Sequence, residues 1–267
     1  MYRCGRCHTA FVSPTPSPAF LEAFYDSYHR PLSEGGEYAS FEERAAQDFD
    51  AKSKHMRSVL GAGRWRTLDV GCGKGHFLKA CEPNGWDSQG IDLSSSAVES
   101  ARKLGLVAHV GRLEEHAAHL GLFDAVSFWA TIEHLPDPFS MLRAMRAVLK
   151  PGGYVFLDTG IGWDWLDRGL PGRTQWYDPP QHLFVFSRNG IVRLMERAGF
   201  EIVAIDPCFE RNGLRRAARL ARAAVAVAAL RVAYLVSGLS VEPGGATRFP
   251  IGNLMMVVGR AMPRAQV

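Results

Sequence analysis

Short apolar runs alternate with amphipathic stretches along most of this chain, and the alternation predicts a series of strands and helices. The predicted strands are Thr67–Val70, Ser88–Ile91, Val107–Val110, Phe123–Phe128, Tyr154–Asp158, Glu201–Ile205 and Asn253–Gly259. Helical spacing of apolar residues predicts helices at Phe41–Leu60, Gly75–Glu82, Ser95–Leu104, Phe139–Leu149 and Ser187–Ala198. Strands that alternate with helices form parallel sheets. We therefore expect an α/β fold, a Rossmann-like doubly wound sheet of seven mostly parallel strands with helices on both faces.

Two long segments interrupt this alternation. Gly160–Phe186, rich in Trp, Asp, Gly and Pro, follows the fifth predicted strand, and Cys208–Gly252 separates the last two strands. Connections of this length in a compact domain usually form lids or partner surfaces. We therefore expect a domain of residues 61–267 with inserts at 160–186 and 208–252, preceded by an N-terminal unit of residues 1–60.

Composition and charge narrow the class of protein. The 267 residues, 47% of them hydrophobic, suffice for one full-sized core or at most two small domains. The 31 basic and 27 acidic residues give a net charge of +4, which is too balanced to indicate a nucleic-acid-binding protein. No window reaches the ~18–20 uninterrupted apolar residues of a membrane span. No signal peptide is evident, so we expect the five cysteines to be reduced thiols in the cytoplasm.

The turn after the first predicted strand carries the main chemical signal. Asp69 precedes three glycines at every second position, Gly71, Gly73 and Gly75, with Cys72 among them. Glycines permit positive φ and close approach of a ligand to the main chain, and the helix that follows offers free N–H groups. The spacing differs from the dinucleotide fingerprint G-x-G-x-x-G and from the phosphate-binding loop G-x-x-x-x-G-K-[ST]. We interpret it as a nucleotide-type binding turn; the alternative is an ordinary strand-to-helix turn.

Asp92, followed by Leu93, ends the second strand about 20 residues beyond the first glycines. At that distance a carboxylate meets a ribose diol, to which it forms strong and directional hydrogen bonds. The alternative role for Asp92 is to cap the next helix, but Ser94–Ser96 can already do so. We therefore expect Asp92 to bind a ribose.

These motifs resemble those of the class I S-adenosylmethionine (SAM)-dependent methyltransferases. Thr67–His76 resembles the family's first motif, Phe123–Pro138 its fourth motif, and Lys150–Tyr154 the turn before its fifth strand. The resemblance covers about Trp65–Phe200 and implies an antiparallel last strand, SAM as cofactor and S-adenosylhomocysteine as product. It also implies a set of cofactor-binding residues, namely Asp69, Gly71, Cys72, Gly73, Gly75, Asp92, Leu93, Ala130 and His134.

The sequence departs from the family pattern where the third strand ends. The family often has an acidic residue there that meets the adenine amine, and Arg112 stands in its place. Either backbone and apolar contacts hold the adenine, with Leu113 among them, or Glu114 substitutes for the missing acid. We include Arg112 and Leu113 among the predicted cofactor-binding residues.

Methyl transfer by in-line displacement requires an aligned acceptor, and a hydroxyl acceptor also requires a base, usually histidine. His134 follows the fourth strand, and His182 lies in a segment similar to a signature, His followed by Phe-Ser, of methyltransferases that act on small molecules and sugars. We predict that His182 is the base or a substrate contact, with His134 as the second candidate. Tyr177 and Asp178 are expected to orient the substrate or the base, and Glu133 to be structural. The alternatives are a loop-organising hydrogen bond for His134 and a capping role for His182.

The N-terminus carries one pair of cysteines with metal-ligand spacing. Cys4-x-x-Cys7 is half of a zinc ribbon, and a closed structural zinc site needs four ligands. Related methyltransferases of sugars and small molecules carry such a ribbon before a Pro-rich strand, and residues 1–60 resemble a truncated ribbon with lid helices. His8, adjacent to Cys7, is poorly placed to be a third ligand. We therefore do not expect a bound metal, and regard Cys4 and Cys7 only as a half-site.

The segment 211–239 contains six arginines and no acid between Arg211 and Arg231, with Ala, Val and Leu towards its end. It is expected to form helices that cap the sheet edge or make a homodimer contact. The alternative is a surface that contacts a membrane or a lipid-linked substrate, because basic residues beside an apolar face suit anionic head groups.

The sequence therefore predicts a SAM-dependent methyltransferase whose acceptor is a small molecule such as a sugar, a glycan precursor or a secondary metabolite. Transfer to oxygen is the first expectation, and carbon and nitrogen stay open. Two alternatives are a partner or regulatory protein that binds SAM without catalysis, and an NAD(P)-dependent oxidoreductase. A nucleic-acid methyltransferase is disfavoured, because the chain lacks an N-P-P-[YF]-like motif and a broad basic face.

Overall fold

The computed structural model describes residues 1–21, 24, 39–169, 172, 174–206, 221, 224–225, 228–229, 232 and 254–263. The predicted insert 208–252, with Cys208 and the arginine-rich segment 211–239, lies almost wholly outside these residues, so the predictions made for it stay predictions. No helix among the described residues is long and apolar enough to cross a membrane.

One mixed sheet runs through the described chain. Its strands are β1 (Tyr2–Arg3), β2 (Ala10–Phe11), β3 (Arg66–Val70), β4 (Asp87–Asp92), β5 (Val107–Val110), β6 (Phe123–Trp129), β7 (Leu149–Gly162), β8 (Phe184–Ser187), β9 (Phe200–Asp206) and β10 (Leu254–Ala261). The main part has the order β5–β4–β3–β6–β7–β10–β9. Its first five strands are parallel, and β10 runs antiparallel between β7 and β9. The predicted seven-stranded α/β sheet with an antiparallel last strand is thus confirmed.

Seven helices are bounded within the described residues. They are α1 (Ala39–Leu60), α2 (His76–Cys81), α3 (Ser95–Lys103), α4 (Leu113–Leu120), α5 (Pro138–Val148), α6 (Trp165–Gly169) and α7 (Arg188–Arg197), with 3-10 turns at Glu82–Asn84 and Ile132–His134. The five predicted helices are present with ends shifted by one or two residues. The sequence prediction missed α4 and α6, since each spans only one or two turns and offers little periodicity. In α4, Leu113 and Leu120 are buried two turns apart on one face.

Capping side chains fix where three helices begin. Ser94 accepts a hydrogen bond from the backbone N–H of Ala97 at the start of α3. Ser187 does the same for Gly190 at the start of α7. At α5, Asp137 accepts from the backbone N–H of Ser140, three residues along. These bonds satisfy N–H groups that have no partner within the helix.

The apolar core lies on both faces of the sheet. Alternate residues of a strand point to opposite faces, and Leu157 of β7 packs in the cluster that includes residues of α4, α5 and α7. Phe156, its neighbour, packs in a second cluster with Met56 of α1 and Phe77 of α2. Both side chains are fully buried. The helices that follow the glycine turn and the helices that follow β6 therefore cover opposite faces.

Three short strands extend this sheet with the N-terminal segment and the end of the 160–186 insert. β8 pairs in parallel with the end of β7, β2 pairs antiparallel with β8, and β1 with β2. The packing is close, because a Cβ atom at Gly190 would lie 1.8 Å from Oγ1 of Thr9. The sequence did not predict these pairings, which join strands of two to four residues from distant parts of the chain.

Candidate functional site

The glycine turn follows β3 and combines two different uses of glycine. Gly71, Gly73 and Gly75 all have positive φ, at 73°, 51° and 82°. A Cβ atom at Gly75 would lie 2.6 Å from Cδ1 of Leu106, so this position serves helix packing. A Cβ atom at Gly73 would meet nothing within 4 Å. The turn therefore presents its backbone to open space at Gly73, as binding of a nucleotide-type ligand requires.

Asp92 lies beside this turn at the carboxyl end of β4. Its Oδ2 accepts a hydrogen bond from the backbone N–H of Gly73 at 2.8 Å, and its Oδ1 accepts one from Ser94 at 2.8 Å. The next residue, Leu93, is 64% exposed. The structure thus brings Asp92 and the turn together at the carboxyl ends of β3 and β4, with Leu93 beside them. A carboxylate has about four lone-pair positions, so Asp92 retains capacity to accept from a ribose hydroxyl.

Asp69 and Cys72, in contrast, direct their side chains into the protein. Asp69 is buried below the turn, and its Oδ1 accepts a hydrogen bond of 2.6 Å from the Ser127 hydroxyl. Burial raises the pKa of Asp69 to about 7. Cys72 packs in a small apolar cluster with Leu78 and Val98, and burial raises the pKa of its thiol. Cys72 can therefore meet a ligand only through its backbone, and it is a packed residue rather than a nucleophile.

The end of β5 lies beside Asp92 and contacts it through the main chain. The backbone N–H of Gly111 donates to the carbonyl of Asp92 at 2.9 Å. Arg112 has extended backbone just before α4. Leu113 is 1% exposed and belongs to the main core. The side chain of Leu113 is therefore not available as an apolar contact for an adenine, and the residue can contribute only its backbone.

A buried ion pair supports the loop after β6. Ala130 has a φ of +47°, and its N–H donates to Oδ1 of Asp158 at 2.7 Å. Nζ of Lys52, from α1, lies 2.9 Å from Oδ2 of Asp158 and 2.9 Å from Oδ2 of Asp48. Burial lowers the pKa of Lys52, but the two carboxylates raise it more, so the ammonium stays charged. The sequence prediction missed Lys52 and Asp158; an acid that ends an apolar strand was the available signal for Asp158.

The two predicted histidines, His134 in the loop after β6 and His182 in the segment before β8, lie side by side. Their ring centroids are 4.9 Å apart. Nδ1 of His134 bonds to the carbonyl oxygen of Gln181 at 2.7 Å, and Nδ1 of His182 bonds to that of Trp176 at 2.9 Å. A carbonyl oxygen only accepts, so both Nδ1 atoms carry a proton. This assigns Nε2 as the basic nitrogen of each neutral ring.

Glu133, for which the sequence predicts a structural role, lies beside the histidine pair. It is 3% exposed, and its Oε2 has no hydrogen-bond partner among the described residues. Burial, with a smaller contribution from the nearby Asp158, raises the pKa of its carboxyl to about 8. Ligand atoms of Glu133, His134 and His182 lie within 4.8 Å of one another. The backbone N–H of Leu183 donates to the carbonyl of Glu133 at 2.8 Å and holds the two loops together.

Tyr177 lies in a different network. Its hydroxyl accepts a hydrogen bond of 2.7 Å from Arg3 of β1 and donates one of 3.0 Å to Oδ2 of Asp167. Arg3 also stacks over Trp163, 4.8 Å from the ring centroid. Asp178 acts through its backbone, since its carbonyl accepts from the N–H of His182. The Tyr177 hydroxyl thus ties the N-terminal strand to the insert.

Cys4 and Cys7 are half-buried free thiols of the N-terminal segment. Backbone N–H groups of Cys7 and Arg6 lower the pKa of the Cys4 thiol. Over the described part of the chain, no third His, Cys or carboxylate groups with them in the way that metal ligands do. Among the described residues, the two thiols thus supply only two of the four ligands that a closed zinc site needs.

Comparison with known proteins identifies the family. A family profile described as "Methyltransferase domain" matches residues 28–205. The Ubiquinone biosynthesis O-methyltransferase of Bordetella avium (strain 197N) is 32% identical, over 55% of this chain and 70% of that protein. A protein of the same name from Xanthomonas oryzae pv. oryzae (strain PXO99A) is 34% identical, over 50% of this chain and 65% of that protein.

The fold agrees with that family. The crystal structure of an S-adenosylmethionine dependent methyltransferase from Mesorhizobium loti superposes with a TM-score of 0.53 at 18% identity, covering 79% of this chain and 97% of that one. The sequence alternatives of a nicotinamide-dependent oxidoreductase and of a non-catalytic binding protein are therefore set aside. The chain belongs to the methyltransferase-domain family: it is a class I SAM-dependent methyltransferase, and SAM is its cofactor.

Proposed function

We propose that this enzyme transfers a methyl group from SAM to a hydroxyl oxygen of a small-molecule acceptor. The observation that carries the proposal is the facing pair His134 and His182, whose Nδ1 atoms both donate to backbone carbonyls. Such a pair suits an acceptor that must lose a proton. The relatives named as O-methyltransferases support oxygen as the acceptor atom.

We assign the cofactor to the crevice at the carboxyl ends of β3, β4 and β6. Gly71 and Gly73 let a ligand approach the main chain closely, Asp92 offers a carboxylate for the ribose, and the loop at Ala130 forms the floor under the methionine part. SAM supplies an electrophilic methyl group on a sulfonium. The residues of the chain hold it, exclude water and align the acceptor oxygen with the bond that breaks.

Acceptor recognition is assigned to the segment 174–187 and the loop at 130–135. Trp176 and His182 come from the insert, and His134 from the loop after β6. The Trp176 and His182 rings lie 6.0 Å apart between centroids. An apolar ring beside paired imidazoles suits a compact acceptor with one reactive hydroxyl, such as a sugar, a glycan precursor or a secondary metabolite with a phenol.

The test separates cofactor binding from transfer. S-adenosylhomocysteine binding is measured by calorimetry and turnover by S-adenosylhomocysteine release against a panel of phenols, sugars, amines and carbon acids. His182→Ala is expected to lower turnover of a hydroxyl acceptor by about 10²-fold or more with unchanged S-adenosylhomocysteine affinity. His119→Ala, an exposed change on α4, is the matched control. Unchanged turnover in both His182→Ala and His134→Ala, or turnover only with amines, contradicts the proposal.

A further inference from the structure

We propose that Glu133, His134 and His182 form a binding site for a divalent cation of the zinc type, on the acceptor side of the crevice. The proposal that an ion binds is argued only from the positions and hydrogen bonds of these three side chains. Its part in catalysis rests on the proposed transfer to a hydroxyl.

The first observation is the convergence of three potential ligands from two loops. One ligand atom from each residue lies within 4.8 Å of the other two. Ligands of a tetrahedral zinc ion, about 2.1 Å from the metal, lie roughly 3.4 Å from one another. The three groups therefore need to approach by about 1.4 Å at most, which small rotations of the side chains can provide.

The second observation is the state of the carboxyl oxygen. Glu133 is 97% buried, and its Oε2 has no hydrogen-bond partner in the described part of the chain. A buried polar atom without a partner costs roughly 1–3 kcal/mol, and more if charged, so native structures rarely keep one without a reason. A cation bound to this oxygen satisfies it.

The third observation is the orientation of the imidazoles. Histidines that bind metals usually donate their other ring N–H to a carbonyl or carboxylate, which fixes the tautomer. His134 does so to Gln181 and His182 to Trp176, at 2.7 and 2.9 Å. Both rings are thus set in the tautomer whose Nε2 binds a metal.

The ligand set selects the kind of ion. Two imidazoles and one carboxylate suit zinc, cobalt or another transition ion, whereas magnesium and calcium prefer oxygen ligands. Three protein ligands leave at least one position open, as in catalytic zinc sites. A hydroxyl of the acceptor can occupy that position.

The ion would take over the activation of the acceptor. Coordination lowers the pKa of a hydroxyl, so its proton passes to solvent. The oxygen electron pair then forms the bond to the methyl carbon, and the electrons of the broken C–S bond stay on sulfur, which becomes a neutral thioether. The atoms and charges balance without an oxidant or reductant. His182 then acts as a ligand rather than as the group that accepts the proton.

The binding test uses the full chain in a variant that lacks the two N-terminal thiols, Cys4 and Cys7, which could also bind zinc. Cys4→Ser/Cys7→Ser protein is stripped with a chelator, dialysed and titrated with Zn²⁺ by calorimetry and with Co²⁺ by visible absorption. We expect one ion per chain and no comparable binding of Mg²⁺. Glu133→Gln and His182→Ala should each weaken Zn²⁺ binding by about tenfold or more, and His119→Ala should not. Circular dichroism establishes that each variant is folded.

Two outcomes overturn the site: no saturable Zn²⁺ or Co²⁺ binding, or binding that neither Glu133→Gln nor His182→Ala weakens. Methyl transfer is then measured with and without chelator, which distinguishes this proposal from the proposed function. Stoichiometric ion binding with no transfer to any hydroxyl overturns the function and leaves the site. Transfer that proceeds equally in chelator overturns the catalytic part and returns His182 to the role of base.

Discussion

Lys52 should matter far more to stability than Lys54, although the two lysines lie on the same helix and both form ion pairs. We expect Lys52→Met to lower the free energy of unfolding by about 3–5 kcal/mol. The same change at Lys54 should lower it by less than about 0.5 kcal/mol. The two variants are matched in chemistry and in position, and they differ mainly in burial.

The magnitude follows from what each substitution leaves behind. The Lys52 side chain is 4% exposed and its Nζ lies 2.9 Å from Asp158, whose side chain is 2% exposed. Removing the ammonium leaves a carboxylate buried without its counter-charge, the case in which breaking an ion pair is most costly. The Lys54–Asp50 pair is shorter, at 2.6 Å, but its side chains are 64% and 57% exposed. Water replaces the lost partner there, so the shorter distance does not produce the larger effect.

A double variant tests the cause. Lys52→Met combined with Asp158→Asn removes both charges, while the amide oxygen of Asn can still accept from the N–H of Ala130. We expect the double variant to recover more than half of the stability lost in Lys52→Met. Urea denaturation at pH 7 gives the free energies, provided that the denaturant slope is the same for all variants.

The same experiment tests the proposed cofactor site, because Asp158 accepts a hydrogen bond from the N–H of Ala130 in the loop assigned to it. Lys52→Met should also weaken S-adenosylhomocysteine binding, and the double variant should restore part of it. Equal losses of stability in Lys52→Met and Lys54→Met would refute the reasoning. No recovery in the double variant would show that the loss comes from packing of the lysine stem rather than from the unpaired charge.

Two further predictions concern the carboxylates around the glycine turn. Asp92→Ala should weaken S-adenosylhomocysteine binding by more than about tenfold, or about 1.4 kcal/mol, and equal affinities in calorimetry would remove Asp92 from the cofactor site. Burial raises the pKa of Asp69 from 3.8 to about 7, so between these values the folded chain holds a proton that the unfolded chain has released, and stability falls as pH rises. Asp69→Asn should remove this fall, worth up to about 4 kcal/mol, and urea denaturation across about pH 4–7 that shows the same slope in both proteins would contradict it.

The sequence was sufficient for the parts of the fold that depend on local pattern. The seven central strands are apolar runs flanked by glycine or helix signals, and the glycine turn and Asp92 lie within a stretch of 26 residues that includes β3 and β4. Positive φ at three alternate positions requires glycine, so the spacing itself reports the backbone geometry. Short-range constraints of this kind can be read without knowing the tertiary structure.

The proposed acceptor half of the site, at residues 130–135 and 174–187, depends on contacts that no local sequence pattern indicates. Arg3 and Asp167 are 164 residues apart, and His134 bonds to a carbonyl 47 residues away. The convergence of Glu133 with two histidines requires the loop after β6 to lie against the segment before β8. The sequence indicated both histidines individually, but neither the buried carboxyl of Glu133 beside them nor the ion pair of Lys52.

This division suggests why the two halves of the crevice can change independently. The proposed cofactor half is built from consecutive β–α units that also form the core, so we expect substitutions there to cost stability as well as binding. The proposed acceptor half lies at the edge of the sheet, where β2 pairs with β8. Arg3 donates a hydrogen bond to Tyr177, and the carbonyl of the preceding residue, Trp176, accepts from His182 and orients its ring. A change in the N-terminal segment can therefore move His182 without disturbing Gly73 or Asp92. Selectivity for the acceptor should follow the sequence of residues 1–11 and 160–187, while affinity for SAM should not.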